Sequence, residues 1–330
     1  MNSQTHREIS PRALDPSQGR VDIGQCRALR VTCLSEMGWW DHTKVLGPVQ
    51  RAGGPQKADQ WSVGWDKGNA AGCSHLLEVE DLDGGVRRIL MDAAWNPAYL
   101  QWRLQACGVD RLLQERQIDL LYLTHEHMDH FWGLEAVLGL DPLLPMMVPS
   151  TLSLSALKFI FGAFFHQAGA ENRAPHRGHL FKMPPGKVHV LFEGCASVTF
   201  DLPIILGVRG EQSLYFNVKD KGLVCVTGCC HQGLAGLLDF AQANLAGGDD
   251  LHGLYGGLHL APFGELSPEA RETIHRLGSY GLAKIAANHC TGQPAVEMMR
   301  DLGYPVEGGR ASQGSTSALF VGNGDSVVFG

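Results

Sequence analysis

THEHMDH, residues 124–130, sets three histidines, a glutamate and an aspartate in seven positions. It runs without a break out of IDLLYLT (118–124), a short apolar run of the kind buried on both faces of a sheet. On a surface such a stretch is a harmless polar patch; around a metal ion it is a set of ligands. Side chains two positions apart in an extended segment point the same way, so His125, His127 and Asp129 can converge. His130 follows as the chain turns into a helix over HFWGLEAVLG (130–139), for which Asp129 is placed as the N-cap. Imidazole nitrogen and carboxylate oxygen suit zinc, and also iron or manganese. Two ions need more donors than one short motif supplies.

Further donors stand at the ends of predicted strands: Cys229, Cys230 and His231 in TGCCHQG (227–233), His259 in GGLHL (256–260) and His289 in NHCTG (288–292). A strand end followed by glycine is where an active-site rim is normally built. Around these, ALRVTCLSE (28–36) reads as a first strand, and CSHLLEVED (73–81) and RRILMDA (87–93) as a hairpin about DLDGG. NPAYLQWRLQACG (96–108), LAGLLDFAQANL (234–245) and SPEARETIHRLGSYG (267–281) have helical spacing, the last opened by Ser267-Pro268. KVHVLFEG, SVTFDLPII, SLYFNVKD and GLVCVTG are four strands in a row; HGLYGGLHL (252–260) and AKIAANHC (283–290) are two more. STSALFVGNGDSVVFG (315–330) reads as a closing hairpin around GNGD. Each half runs strands first and helices after, which favours two sheets sandwiched between helices, an α/β fold.

Three stretches stand apart. Residues 1–27 read as a flexible N-terminal arm, and residues 40–70, rich in Gly, Lys, Asp and Trp, as a long loop. Prolines bracket STLSLSALKFIFGAFFHQAG (150–169), where Leu154, Leu157, Phe161, Phe164 and Phe165 keep helical spacing. The plain reading of that stretch is a core helix. The sharper ones are a lid segment over the site, spanning 145–185, or the face of a homodimer. Loop 40–70 and segment 145–185 are expected to wall the pocket.

Nine cysteines, scattered and without CxxC pairs, do not form a disulfide framework, and a reducing compartment fits them better. The first twenty residues hold no apolar signal core, and no run of 18 apolar residues occurs, so a cytoplasmic protein without a membrane span is expected. A net charge of −7 argues against a nucleic-acid partner and leaves a small-molecule substrate.

THEHMDH matches the HxHxDH signature of the metallo-β-lactamase superfamily. With TGCCHQG, GGLHL and NHCTG in that order, the chain from about residue 28 to its end resembles the branch labelled 7,8-dihydropterin-6-methyl-4-(β-D-ribofuranosyl)aminobenzene-5′-phosphate synthase-like. The resemblance implies an αββα sandwich of the metallo-β-lactamase type, a single domain over 28–330, and one or two divalent transition-metal ions at one edge of the two sheets. Zinc stands first, with iron or manganese as alternatives. Residue by residue, His125 and His127 match the first-metal pair, Asp129 and His130 the second-metal ligands and His289 the last histidine of the superfamily. His231, in the branch's GC-[SC]-H motif, completes the first site. Asp92 matches an aspartate that supports a ligand histidine. Commoner members carry a bridging Asp after the strand-Thr-Gly, where this chain has Cys229.

The resemblance implies a metal-dependent hydrolase acting with activated water on an ester, amide or phosphoester. The expected catalytic residues are Asp129, which orients the nucleophile, and His259, as substrate contact or proton relay; the plain reading of His259 is a core histidine. A mononuclear iron oxidoreductase and a pterin-pathway synthase-like enzyme are the alternatives. Cys229 and Cys230 read as small buried residues, Cys290 as facing away from the site, and His166, His176 and His179 as loop residues.

Overall fold

Two seven-stranded sheets carry the chain, and the computed structural model describes residues 6–36, 41–66 and 70–330 of it. One sheet is built from β2 (Ala28–Ser35), β3 (Ser74–Glu80), β4 (Val86–Met91), β5 (Leu120–Tyr122), β6 (Met146–Pro149), β9 (Leu180–Met183) and β16 (Ser326–Phe329), in the order β16-β2-β3-β4-β5-β6-β9. The other holds β1 (Arg12–Leu14), β10 (Val188–Phe192), β11 (Cys195–Pro203), β12 (Arg209–Val218), β13 (Gly222–Thr227), β14 (Leu251–Gly257) and β15 (Lys284–Asn288), in the order β1-β10-β11-β12-β13-β14-β15. A small hairpin, β7 (Phe164–Phe165) and β8 (Ala170–Glu171), stands outside both.

Alternating apolar residues face inward from both sheets: Leu29, Val31, Leu77 and Ile89 from one meet Leu214, Phe216, Val224 and Val226 from the other. The outer face of the first sheet is covered by helices Pro97–Ala106, Val109–Gln114 and Leu134–Leu138, through Leu100, Leu104, Leu113 and Val137. Helices Gly233–Asn244, Pro268–Leu277 and Gln293–Asp301 cover the second through Leu237, Leu238, Ile274 and Met299. This is the αββα sandwich expected. No helix among the described residues is long and apolar enough to cross a membrane.

The strands that matter for function run parallel. β4, β5, β6 and β9 form one parallel set, and β13, β14 and β15 another. Parallel neighbours end on the same side, so the loops leaving β4, β5, β13, β14 and β15 gather at one edge of the sandwich. Open α/β sheets bind their ligands at such carboxyl ends.

Five expectations need correction. The described part of the N-terminal arm (residues 6–27) is not free: β1 pairs with β10, Val21 bridges to Leu245, and Ile9, Ile23 and Cys26 are buried. Its few apolar residues are spaced to close a sheet edge, and the polar composition around them hid this. Residues 40–70 are not one loop. Thr43–Arg51 is a helix that buries Val45 and Val49, and Ala58, Gln60, Trp61 and Val63 are buried beyond it; residues 40 and 67–69 lie outside the described set. Gly47 and Pro48, poor helix formers, mask the i, i+4 pair. Asp129 is not an N-cap. It sits inside the short helix Met128–Phe131, behind His127 at the cap position, and its carboxylate goes to imidazoles instead. The helix read over 150–169 covers only Leu154–Ile160, capped by Ser153, and the chain then breaks at Gly162 (φ +94°) into the β7–β8 hairpin. Finally, β16 pairs with β2 rather than with a strand of its own tail, because the residues before it are held as a loop: Thr316 N donates to a Glu36 carboxylate oxygen (2.6 Å) and Glu36 N to Asn323 Oδ1 (3.0 Å).

Candidate metal centre

Each donor stands just past a strand end, and several backbones there are bent the unusual way. Asp92 after β4 (φ 61°), Cys230 after β13 (φ 59°), His259 after β14 (φ 48°) and His289 after β15 (φ 51°) are all left-handed non-glycine residues. Such positions cost of order 1–3 kcal/mol each and cluster at functional sites. Gly228 follows β13, at a position where a β-carbon would run into Thr124 and Asp92. Its absence lets the TGCCH turn close onto the THEHMDH turn.

The imidazoles are aimed by their far nitrogens. His130 Nδ1 donates to Asp92 Oδ2 (2.6 Å), leaving Nε2 to face inward. Thr124 donates to the same carboxylate from N (2.7 Å) and Oγ1 (2.8 Å), and His125 Nδ1 donates to Thr124 Oγ1 (2.9 Å). One buried carboxylate thus fixes two rings, one of them through a threonine. His289 Nδ1 donates to the Glu36 carbonyl (3.1 Å) and His127 Nε2 to the Ile205 carbonyl (3.1 Å). Ligand histidines ordinarily give their outer nitrogen to such partners, which sets the tautomer and the ring orientation.

What remains points at common spaces. The inward atoms of His125, His127 and His231 lie within 4.8 Å of one another, and so do those of His125, His130 and Cys229, of Cys229, His289 and Cys290, of Cys229, His231 and His259, and of Cys73, His130 and His289. Asp129 Oδ2 is 3.3 Å from His289 Nε2 and 3.7 Å from His130 Nε2. Cys229 Sγ lies 3.1 Å from His130 Nε2. His231 Nε2 is buried with no hydrogen-bond partner. A buried imidazole nitrogen is left bare at a free-energy cost unless something else takes its lone pair. The donor set therefore fits a divalent transition metal: imidazoles already oriented, one carboxylate, and thiols at the side.

Burial and mutual proximity push His125 and His231 well below the ordinary imidazole range. Burial also takes His127 down to about 4, although Asp129 pulls the other way. His130 and His289 behave oppositely. Burial works against their charge, but Asp129 and Asp92 raise His130, and Cys290 and Asp129 raise His289 to about 9. Burial would raise the Asp129 carboxyl, but His130, His289 and His127 outweigh it and hold it well below the usual carboxylate range. Of two facing thiols, burial raises Cys229; Cys290 is lowered, burial notwithstanding, by Cys229, His289 and His259.

His125, His127, Asp129, His130, His231 and His289, singled out from sequence, all come together. His259 stands at the solvent-exposed rim, its ring centroid 4.6 Å from that of His231. Loss of water disfavours its charge, but Cys290 and Glu211 outweigh this and raise its pKa above the ordinary value. Cys290 does not face away. The chain leaves β15 in a tight turn over His289–Thr291, which swings its sulfur to the donors. His166 and His179 lie against Phe164 and Phe181, and His176 bonds the Leu144 carbonyl; none reaches the centre.

Sequence reasoning missed the acid that holds the second turn. Glu211 on β12 is fully buried and accepts from the backbone N–H groups of Cys229 (2.9 Å), Cys230 (2.9 Å) and His231 (2.6 Å) and from Thr227 Oγ1 (3.0 Å). A charged residue heading an apolar strand, GEQSLYFNV, was the available signal. Gln60 was missed too. It clamps the first turn, donating to the Glu126 carbonyl (2.6 Å) and accepting from Met128 N (2.9 Å). Glu126 itself turns away from the donors and caps Ser153 N (2.6 Å).

A cavity of about 410 Å³ opens over these donors. Its walls include Val45, Leu46 and Val49 of helix Thr43–Arg51 and the turn Ala261–Gly264, and no residue of 145–185. The expected lid thus contributes nothing to the cavity. Phe159 is buried and Phe165 packs on Trp61 (4.6 Å between centroids), whereas Phe161 and Phe164 face solvent. Those aromatics complete the cover of the first sheet rather than the site.

No family model matches the chain. It is similar to a curated protein of Methanocaldococcus jannaschii, 7,8-dihydropterin-6-methyl-4-(beta-D-ribofuranosyl)-aminobenzene-5′-phosphate synthase, with 25% identity over 257 residues, 70% of this chain and 84% of that one. Among solved structures it resembles a metal-dependent hydrolase of the beta-lactamase superfamily, with 18% identity, 83% of this chain and 92% of the other covered, and a TM-score of 0.50. The chain has the metallo-β-lactamase fold, and the curated protein to which it is similar bears the name of the branch its motifs resemble.

Proposed function

We propose that the chain is a metal-dependent hydrolase in which His125, His127 and His231 hold one divalent transition-metal ion, and Asp129, His130 and His289 a second, with Cys229 at the junction. Zinc is the first candidate and iron or manganese the alternatives. The observation that carries this reading is the outward hydrogen bonding of His125, His127, His130 and His289, with the bare His231 nitrogen among them. Ions held there supply Lewis acidity and make hydroxide available near pH 7. Asp129, kept ionised by its histidines, orients the water and accepts its hydrogen bond. His259, exposed at the rim and with a raised pKa, is placed to give a proton to a leaving group. The apolar walls keep bulk water away from the reacting bond.

The test is metal quantification on protein grown with added metals, followed by a panel of carboxylic ester, lactone, thioester and phosphoester substrates. Less than half an equivalent of metal per chain would sink the proposal. A synthase like the curated relative is the second reading, favoured by the 25% identity. Full metal with no hydrolysis of any panel member would favour it.

A further inference from the structure

The cavity over the donors is lined by more apolar than polar residues. Val45, Leu46, Val49, Ile205, Leu206 and Phe263 form its apolar side. Among the described residues no lysine or arginine lines it; its acids are Glu36 and Asp129. Lys44, on the same helix as the apolar wall, turns to Asp66 (3.7 Å) instead. A volume of about 410 Å³ is that of a small-molecule site, of which most of the ligand surface is buried.

The geometry points to a carboxylic ester, lactone or thioester carrying an elongated uncharged group as the substrate, with that group lying along helix Thr43–Arg51. The inference rests on the hydrolase reading above and names its substrate class. Metal ions could neutralise a phosphoryl group at the reacting centre. Away from the donors, a phosphate on the substrate, or a monoester product on its way out, would meet apolar walls, two acids and the imidazoles of His42 and His259, with no guanidinium or ammonium among the described residues to pair it. Burying an unpaired charge is costly, whereas a neutral ester and its alkyl chain gain from the same walls. In the reaction, water adds to the acyl carbon, the acyl–oxygen or acyl–sulfur bond breaks, and one water proton ends on the leaving oxygen or sulfur.

Two arms test this on the metal-loaded full chain. Calorimetric titration with butanoate, hexanoate and octanoate reads the wall without requiring turnover; affinity should rise by about fourfold per buried methylene. Leu46→Asp, at a half-buried position, should flatten that rise with metal content retained, and Phe263→Asp, at a position 37% exposed, repeats the test should the first variant not fold. The second arm compares turnover of p-nitrophenyl octanoate with that of p-nitrophenyl phosphate and bis(p-nitrophenyl) phosphate; the octanoate ester should be the better substrate. Octanoate binding no tighter than butanoate overturns the inference. Faster cleavage of either phosphate compound overturns the ester assignment and leaves the hydrolase reading standing. Fully metallated protein that cuts neither class sinks the hydrolase reading and the ester assignment together.

Discussion

The two halves of the donor cluster stand on the same strand ends and are built from opposite electrostatics. On one side His125, His127 and His231 face each other with no carboxylate of their own, and burial keeps them neutral. On the other, Asp129 and Asp92 face His130 and raise its pKa, and Cys290 and Asp129 push His289 up to about 9. Cys290 sits beside the second half, and Cys229 reaches donors of both. A metal ion entering the imidazole half meets bare nitrogens. One entering the mixed half must first displace a proton, because a metal ligand must be deprotonated. On the proposed reading, one edge of one fold holds two ions at different affinities, with the difference set by where Asp92, Asp129 and Cys290 lie.

The harshest way to break this comparison is to remove a donor from the neutral half. His127→Ala should lose most bound metal and all measurable hydrolysis, since no other described side chain replaces its inward nitrogen. Elemental analysis and the substrate panel check it; activity retained with metal intact would mean the centre lies elsewhere. Next in size is the proton. With His289 near 9, the mixed half binds its ion against a proton at pH 7, so affinity there should rise by about tenfold per pH unit from 7 to 9 and then flatten. With His127 near 4 and its neighbours also well below the ordinary imidazole range, affinity at the neutral half should stay flat above about pH 5. Calorimetry in two buffers of different ionisation heat counts the protons released at each step; equal proton release by both ions would erase the distinction.

The sequence exposed the donors better than it exposed what sets them apart. A seven-residue motif and three strand-end histidines are local patterns, and the alternating apolar runs that became β2 to β5 and β10 to β15 are local as well. Glu211 lies twenty residues before His231, the most distant of the three N–H groups it binds, and Gln60 lies far before the motif it clamps, so no window of sequence joins them. Cys290 was misjudged because strand alternation was carried two residues past Asn288, where the chain has already left β15. Helix Thr43–Arg51 was hidden by Gly47 and Pro48, yet it supplies the wall that segment 145–185 was expected to give. In that segment aromatic content looked functional, and Phe159 and Phe165 turned out to be core.

Asp92→Asn sharpens the comparison from outside. Asp92 holds His130 directly and His125 only through Thr124, so the variant should weaken metal binding by about 10–100-fold, more at the mixed half than at the neutral one. Competition against a chelator, followed ion by ion, reads the ratio; equal loss at both halves would show that the threonine transmits as firmly as the carboxylate.

The smallest effect is expected from the thiols, and it is the most specific. Cys229 Sγ belongs to donor groups on both sides, with His125 and His130, with His289 and Cys290, and with His231 and His259, so it stands where the halves meet. Serine keeps its size and leaves a weaker oxygen donor. In cobalt-substituted protein a thiolate ligand gives a sulfur-to-metal charge-transfer absorption in the near ultraviolet that imidazole and carboxylate do not. Cys229→Ser should diminish this absorption and Cys229→Ser with Cys290→Ser abolish it, with a smaller loss of cobalt affinity than in Asp92→Asn, because soft thiolates select among metals more than they hold them in place here. The neutral half, with three imidazoles of its own, should keep its ion in both variants. Native protein without the absorption, or a double variant that retains it, would place the thiols outside the metal shell and make Cys229 a small buried residue that only resembles a ligand in position.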